Sequence, residues 1–363
     1  MEPRDLTAHG EYVAGRGVEE VARELGMEPG DLVTLSSNEN PLGASPAAVE
    51  AVREHAPGVN GYPKAAHADL RERVAEEWDV ATEQVWLGAG GDGALDCLHR
   101  AVLEPGDEIL VPDPGFAYYA MSARYHNGSV ATYPLEKAEG FAQTADAVLE
   151  SYDGERVVYV ISPHSPTGTE MPRGELDRLA DALAEDTLLL VDEAYGEYTD
   201  TPSAAGLMDG RDDVAVLRTF SKAYGLAGLR VGYVLAPEPW ADAYAKVNTP
   251  FAVNELACRG ALAALDDEEF VEETVDTARW AREYMYDNLD APTWESAANF
   301  VLAEVGDAAA VADACRREGV VIRDCTSFGL PDCVRITCGT RAETRRAVET
   351  LNGVLAARGP DPT

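Results

Sequence analysis

Apolar residues follow two rhythms along this chain. Between about 84 and 235, short continuous apolar runs alternate with segments whose apolar positions recur every three or four residues. A continuous run of aliphatic and β-branched residues reads as a strand covered on both faces, and the three-to-four spacing as a helix with one covered face. The predicted strands are 84–88, 108–111, 156–162, 187–195, 214–221 and 230–236; the predicted helices are 92–104 and 173–183. Strands alternating with helices predict an α/β fold with a mostly parallel sheet, and ligands on such sheets lie beyond the carboxyl ends of the strands. The pattern then changes. Residues 250–289 read as long helices, followed by strand 299–305, helix 308–319, strands 320–323 and 333–339, and a last helix from about 341. This predicts a smaller α+β domain formed by 1–35 and 251–363, beside a large domain at 36–250.

Composition narrows the class. A hydrophobic fraction of 46% supports a folded core. With 65 acidic against 29 basic residues the formal net charge is −36, which speaks against a nucleic-acid partner. The acids are spread over the whole chain and Lys occurs only at 64, 137, 222 and 246. That balance suits concentrated salt, where the Debye length falls to about 3 Å at 1 M and self-repulsion is screened. No apolar run approaches the ~20 residues of a membrane helix, and the first residues lack the charge and apolar pattern of a signal peptide, so a cytoplasmic location without membrane contact is expected. The six Cys form no C-x-x-C pair and read as reduced core residues; the six His show no metal spacing.

Three stretches carry candidate chemistry. In "LLLVDEAYGEY" Asp192 stands at the end of an apolar strand; alone, it could simply cap the next segment. In "TFSKAYGLAGLR" Lys222 follows another strand. A single Lys is most often a surface residue, but this one sits beside Ser221 and among Ala223, Gly225, Ala227 and Gly228, which let a flat group approach the backbone. A desolvated Lys is a nucleophilic amine, and Arg230 supplies a forked cation suited to phosphate. In "LGAGGDGALD", residues 87–96, a strand passes through three Gly into a helix whose first N–H groups favour an anion. The spacing is neither a dinucleotide fingerprint nor a P-loop. An amine, an acid able to pair with a ring nitrogen, phosphate donors from two loops and the aromatic segment 114–120 together fit one ligand, pyridoxal 5'-phosphate.

With these residues in view, the chain resembles the fold-type I pyridoxal-phosphate aminotransferases, specifically the histidinol-phosphate aminotransferases. The resemblance runs over nearly the whole length, through "SSNENPLG" (36–43), "GYPK" (61–64), "SPHSPTG" (162–168), "VDEAYGEY" (191–198), "RTFSKAYGLAGLRVGY" (218–233), "NF" (299–300), "VVIRD" (320–324) and "VRITCGT" (334–340). It implies that Lys222 carries the cofactor and shuttles the proton, Asp192 pairs with the pyridine N–H, and Tyr195 donates to the ring oxygen. Gly91, Asp92, Ser221 and Arg230 would hold the phosphate, and Tyr62 would reach it from the partner in a homodimer. Phe116 stands where the family usually stacks a Tyr on the ring, and Ser165 where it usually has an Asn that donates to the ring oxygen. Ala89 stands where the family often has Asn. Arg335 matches the substrate-carboxylate Arg, Arg323 a second substrate-facing Arg, and Tyr12 a substrate-side Tyr. The loop residue His164 is expected to make no cofactor contact. The implied reaction is amino transfer between L-histidinol phosphate and 2-oxoglutarate in histidine biosynthesis. Transamination of aromatic amino acids and decarboxylation of a phosphorylated amino acid on the same fold remain alternatives on the residues alone. A non-catalytic cofactor-binding relative is disfavoured by the intact Lys222 and Asp192.

Overall fold

The computed structural model describes residues 6, 7, 9, 10 and 17–358. Its strands, in chain order, are β1 Val33–Leu35, β2 Val85–Gly88, β3 Glu108–Asp113, β4 Ser129–Pro134, β5 Val157–Ile161, β6 Leu188–Asp192, β7 Val214–Thr219, β8 Gly232–Leu235, β9 Phe300–Glu304, β10 Val320–Asp324 and β11 Cys333–Thr337. Seven form one sheet in the order β2-β8-β7-β6-β5-β3-β4; four form a second, β1-β10-β11-β9. In the large sheet β3/β4, β3/β5, β5/β6 and β6/β7 pair in parallel, and β8 is antiparallel to both β2 and β7. The α/β architecture with a mostly parallel sheet matches the reading of the sequence.

The continuous apolar runs are explained by cover on both faces. Successive residues of a strand point to opposite faces. Val158, Val160, Leu189, Val191, Val214 and Val216 share one core with Leu70 and Val74 of helix Ala68–Trp78 and Leu176 and Leu179 of helix Arg173–Ala182. Their neighbours Tyr159, Ile161, Leu188, Leu190, Ala215 and Leu217 share another with Leu95 and Leu98 of helix Gly90–Val102 and Tyr119 and Ala123 of helix Tyr118–Tyr125. The small sheet packs on helices Glu268–Asn288, Ala308–Arg317 and Arg341–Arg358 through Ala278, Met285, Val311, Cys315, Ala347 and Leu351. All six Cys are buried and free.

Two features of this topology aim residues at one place. The parallel strands end on the same edge of the sheet, so Asp192, Thr219, Ile161 and Gly88 lie along it. Because β8 runs the other way, its entry, just after Arg230, falls on that edge too. In the small sheet β10 and β11 are antiparallel with Arg323 opposite Arg335. Directly paired residues point to the same face, so the two Arg leave the small sheet side by side.

Candidate active site

The carboxyl edge of the large sheet and the face of the small sheet enclose a cavity of about 610 Å³. Of the residues singled out from sequence, Gly91, Asp92, Phe116, Ser165, Asp192, Tyr195, Ser221, Lys222, Arg230, Arg323 and Arg335 all line it. Two do not. Tyr62 is 88% exposed and packs its ring on Phe251 at 5.1 Å, away from the cavity of its own chain. Tyr12 lies outside the described residues. His164 is fully buried in the loop after β5, with Nδ1 2.8 Å from Thr167 Oγ1, and burial lowers its ring to about 3, so it is a neutral packing group.

The glycine turn at 88–91 is shaped by contacts that leave no room for a side chain. A Cβ on Gly88 would come within 2.0 Å of the Ala94 nitrogen. Gly90 has φ +76°, and a Cβ there would come within 2.4 Å of the Arg230 guanidinium. The turn opens helix Gly90–Val102 at residues whose N–H groups have no intrahelical partner. Arg230 itself sits at φ +56°, and its Nη2 is 3.0 Å from Asp92 Oδ2. The Asp92 carboxylate therefore faces a cation; an anion at this helix end would meet its N–H group. Ser221 completes the seat, its backbone N–H donating to Thr219 Oγ1 at 3.1 Å and its Oγ accepting from the same hydroxyl at 3.0 Å.

Asp192 closes β6 and is buried. Tyr119 O–H donates to its Oδ2 at 2.6 Å and the Ala194 N–H to its Oδ1 at 2.8 Å. Burial pushes the carboxyl up to about 6, and those two hydrogen bonds only partly oppose it, with Asp92 and Glu193 adding to the rise. Among the described residues no cation pairs with it, so a cationic ring N–H would satisfy it. Behind it, Glu193 and Glu197 both pair with the buried Arg218 at 2.7 Å each.

The amine and its surroundings follow. Lys222 Nζ donates to the Ser37 carbonyl at 3.4 Å and lies 5.6 Å from the Tyr195 ring centre. Tyr195 receives a hydrogen bond from Asn38 Nδ2 at 2.8 Å and packs edge-on against Phe300. Burial acts to raise its hydroxyl, but the charges of Lys222 and Arg335 and the hydrogen bonds of Asn38 and Ser165 outweigh it and hold it below the usual tyrosine range. Arg335 is buried between the rings of Phe300 and Phe328, with Nη1 donating to Ser165 Oγ at 2.8 Å and Nη2 to the Ser36 carbonyl at 3.1 Å. Arg323 lies 5.3 Å from the Phe328 ring centre and donates to Ser327.

Residues the sequence reading left without a role are thus Asn38, Tyr119 and Thr219. Asn38 sat inside the quoted "SSNENPLG" and Tyr119 inside the aromatic segment 114–120, so the signal was present but their partners, 157 and 73 residues away, were not visible. The residues fit pyridoxal phosphate: a cradle that glycine alone keeps open, a buried carboxylate without a cationic partner among the described residues for a ring nitrogen, an amine and an aromatic face.

This arrangement of a parallel sheet edge, a buried acid and an amine defines a class. The chain belongs to the aminotransferase class I and II family, whose model matches residues 30–351. It is 65% identical over 355 residues to the histidinol-phosphate aminotransferase of Haloarcula marismortui, covering 98% of this chain and 99% of that one. It is 66% identical over 359 residues to the enzyme of the same name from Halorubrum lacusprofundi, covering 99% of each. Among solved structures it superposes with a TM-score of 0.85, at 26% identity and over 98% of this chain and 100% of the other, on histidinol-phosphate aminotransferase from Sinorhizobium meliloti in complex with pyridoxal-5'-phosphate.

Proposed function

We propose that the chain is a pyridoxal-phosphate-dependent histidinol-phosphate aminotransferase. It would move an amino group between L-histidinol phosphate and 2-oxoglutarate, with imidazole-acetol phosphate and L-glutamate on the other side. The observation that carries this reading is the pairing of Arg323 with Arg335 on one face of the small sheet, both lining the cavity that holds Lys222. A site serving both half-reactions must accept a phosphate in one and a distal carboxylate in the other, and two adjacent guanidinium groups suit both anions.

When bound, the cofactor supplies an electron-accepting ring that stabilises negative charge on the substrate carbon. The helix end at Gly91 and Asp92, with Ser221 and Arg230, would hold its phosphate. Asp192 would keep the ring nitrogen protonated, Phe116 would lie against the ring face, and Tyr195 would donate to the ring oxygen. Lys222 Nζ would take the proton from the substrate carbon and return it, as a general acid–base. Arg335, clamped between Phe300 and Phe328, binds the substrate's anionic end without having to reorganise. Ser165 would serve this site in a second way beside the cofactor contact expected from the sequence: its hydroxyl oxygen accepts from Arg335, so it would orient a substrate-binding group as well as facing Tyr195.

A homodimer is part of the proposal. Tyr62 is exposed and turned away from its own cavity, which suits a residue that completes the site of a partner. A cytoplasmic, salt-adapted enzyme is proposed from the acidic composition and from the Haloarcula and Halorubrum relatives; no helix of the described residues is long and apolar enough to cross a membrane. The test is a donor screen in molar KCl with 2-oxoglutarate as acceptor. Turnover with histidinol phosphate well above phenylalanine, tyrosine and aspartate supports the reading; preference for an aromatic amino acid, or release of CO2, overturns it.

A further inference from the structure

Behind the cavity lies a line of buried polar groups that the proposed reaction does not use. His99 is fully buried on helix Gly90–Val102, with Nδ1 2.8 Å from Ser122 Oγ and Nε2 in a short hydrogen bond with Tyr159 O–H. Ser122 in turn donates to Asp96 Oδ1 at 2.6 Å. The proton directions follow from this. The Ser122 hydroxyl has one proton and gives it to the Asp96 carboxylate, so His99 Nδ1 must donate to Ser122. The ring is neutral because burial lowers it to about 3; Nε2 is then an acceptor and Tyr159 must donate to it. One tautomer of His99 satisfies every member, and every proton points toward Asp96.

The other face of Tyr159 meets the site. Its ring packs on Tyr119 with centres 4.8 Å apart, and Tyr119, 2% exposed, donates to Asp192 at 2.6 Å. The pleat explains the meeting. Tyr159 and Asp192 lie on the same face of β5 and β6 as helices Gly90–Val102 and Tyr118–Tyr125, which bring His99, Ser122 and Tyr119. The Tyr159 hydroxyl is committed to His99 and has no second proton for Asp192, so Tyr119 alone can give the carboxylate a side-chain hydrogen bond from this face.

We propose that Tyr119 is a positioning residue for the Asp192 carboxylate, and that the Tyr159–His99–Ser122–Asp96 chain is a buttress that fixes Tyr159 and hence the Tyr119 ring. The inference rests on the proposal that pyridoxal phosphate binds here, but not on the identity of the amino donor. Tyr119 holds Asp192 Oδ2 and the Ala194 N–H holds Oδ1, so the carboxylate cannot rotate and presents one fixed direction to a ring nitrogen. The same hydrogen bond stabilises the charged form of Asp192. Without it the carboxylate becomes a stronger base and draws the ring proton toward itself. The ring then carries less positive charge, and its linkage to Lys222 keeps its proton to higher pH. The other titratable groups near Asp192 are Asp92 from helix Gly90–Val102, Glu193 beside it on its own segment, and Tyr159; Lys222 faces the same cavity. None of them donates to Asp192.

The test uses the enzyme reconstituted with pyridoxal phosphate in molar KCl and follows its visible absorbance against pH. Tyr119→Phe is expected to raise the midpoint by about one pH unit, the scale of one charged hydrogen bond. It should also lower kcat with KM for the amino donor within about twofold, since no substrate contact is lost. Ser122→Ala breaks the buttress without removing a large core side chain, and is expected to move the midpoint the same way by a smaller amount. A midpoint and kcat unchanged in Tyr119→Phe overturn the role of Tyr119; a shift in Tyr119→Phe with none in Ser122→Ala overturns the buttress. If Tyr119→Phe fails to fold, the Ser122→Ala titration decides alone, an unmoved midpoint then rejecting the proposal. Failure of the wild-type chain to take up the cofactor would be a failure of the cofactor reading, and is distinguished by the absence of any visible band.

Discussion

Arg323 and Arg335 face each other across the antiparallel pair β10/β11, and both guanidinium groups border the cavity that contains Lys222. Two like charges on adjacent strands repel. Their proximity is tolerated because Arg335 is held by two carbonyl or hydroxyl acceptors and two aromatic faces, and Arg323 shares the Phe328 ring. An anionic substrate bound between them, as proposed, would lower their mutual repulsion further.

Arg335→Lys keeps the charge and loses the fork. It should raise KM for 2-oxoglutarate by about ten- to a hundredfold, the range of one lost charged hydrogen bond. Steady-state kinetics at fixed KCl check this; an unchanged KM shows that the carboxylate binds elsewhere.

Lys222→Ala should abolish turnover, by a factor of at least about 10⁴, while leaving the fold and the melting temperature of the apoenzyme nearly intact. Transamination that survives this substitution removes Lys222 from the mechanism.

Gly90→Ala places a methyl group against the Arg230 guanidinium, at a backbone angle that L residues rarely adopt. Weaker cofactor binding, by about tenfold or more, is the expected outcome, measured as the dissociation constant of pyridoxal phosphate. A side chain tolerated at full affinity would mean that the phosphate sits away from this turn.

The Asp192 carboxyl is raised from 3.8 to about 6 in the folded chain. Folding therefore favours its protonated form. The stability this contributes is complete below about pH 4 and is lost as pH climbs through about 6, leaving a deficit on the order of 3 kcal/mol at neutral pH. Asp192→Asn should raise the melting temperature of the apoenzyme at pH 7 and have little effect at pH 4, while weakening the cofactor. Equal melting shifts at both pH values would show that the carboxylate is not strained.

The net charge of −36 sets the salt response. The melting temperature should rise between dilute buffer and molar KCl as self-repulsion is screened; an identical melt under both conditions would reject salt adaptation.

The large sheet was legible because β5, β6 and β7 are buried on both faces and need unbroken apolar runs. Asp192 and Lys222 were legible because a charge directly after such a run stands at the ligand-binding edge. Strand β4 was not: it pairs on one side only, with β3, and its solvated positions break the run. Helix Tyr118–Tyr125 was read as an aromatic segment for stacking, and its second use, bringing Tyr119 to Asp192, depends on which face of the pleat each residue takes. Ser165 was read for the cofactor alone, because its partner Arg335 is 170 residues away. For the domain border, helix Glu255–Leu265 buries Ala257, Cys258 and Ala261 in the core of the large sheet, whereas helix Glu268–Asn288 packs on the small one. We therefore propose the border near Asp266 in place of 250.

The pair of Arg230 and Asp92 would give the proposed phosphate seat an internal counter-ion before any cofactor arrives. Loading is then an exchange of one anion for another on the same guanidinium, not the filling of a bare positive hole. Ions of a concentrated brine loosen this half-exposed pair more than they loosen a phosphate gripped by several N–H groups at once. A medium that steadies the acidic surface would then also lower the barrier to the exchange, and a chain purified into dilute buffer would be slow to take up its cofactor as well as less stable.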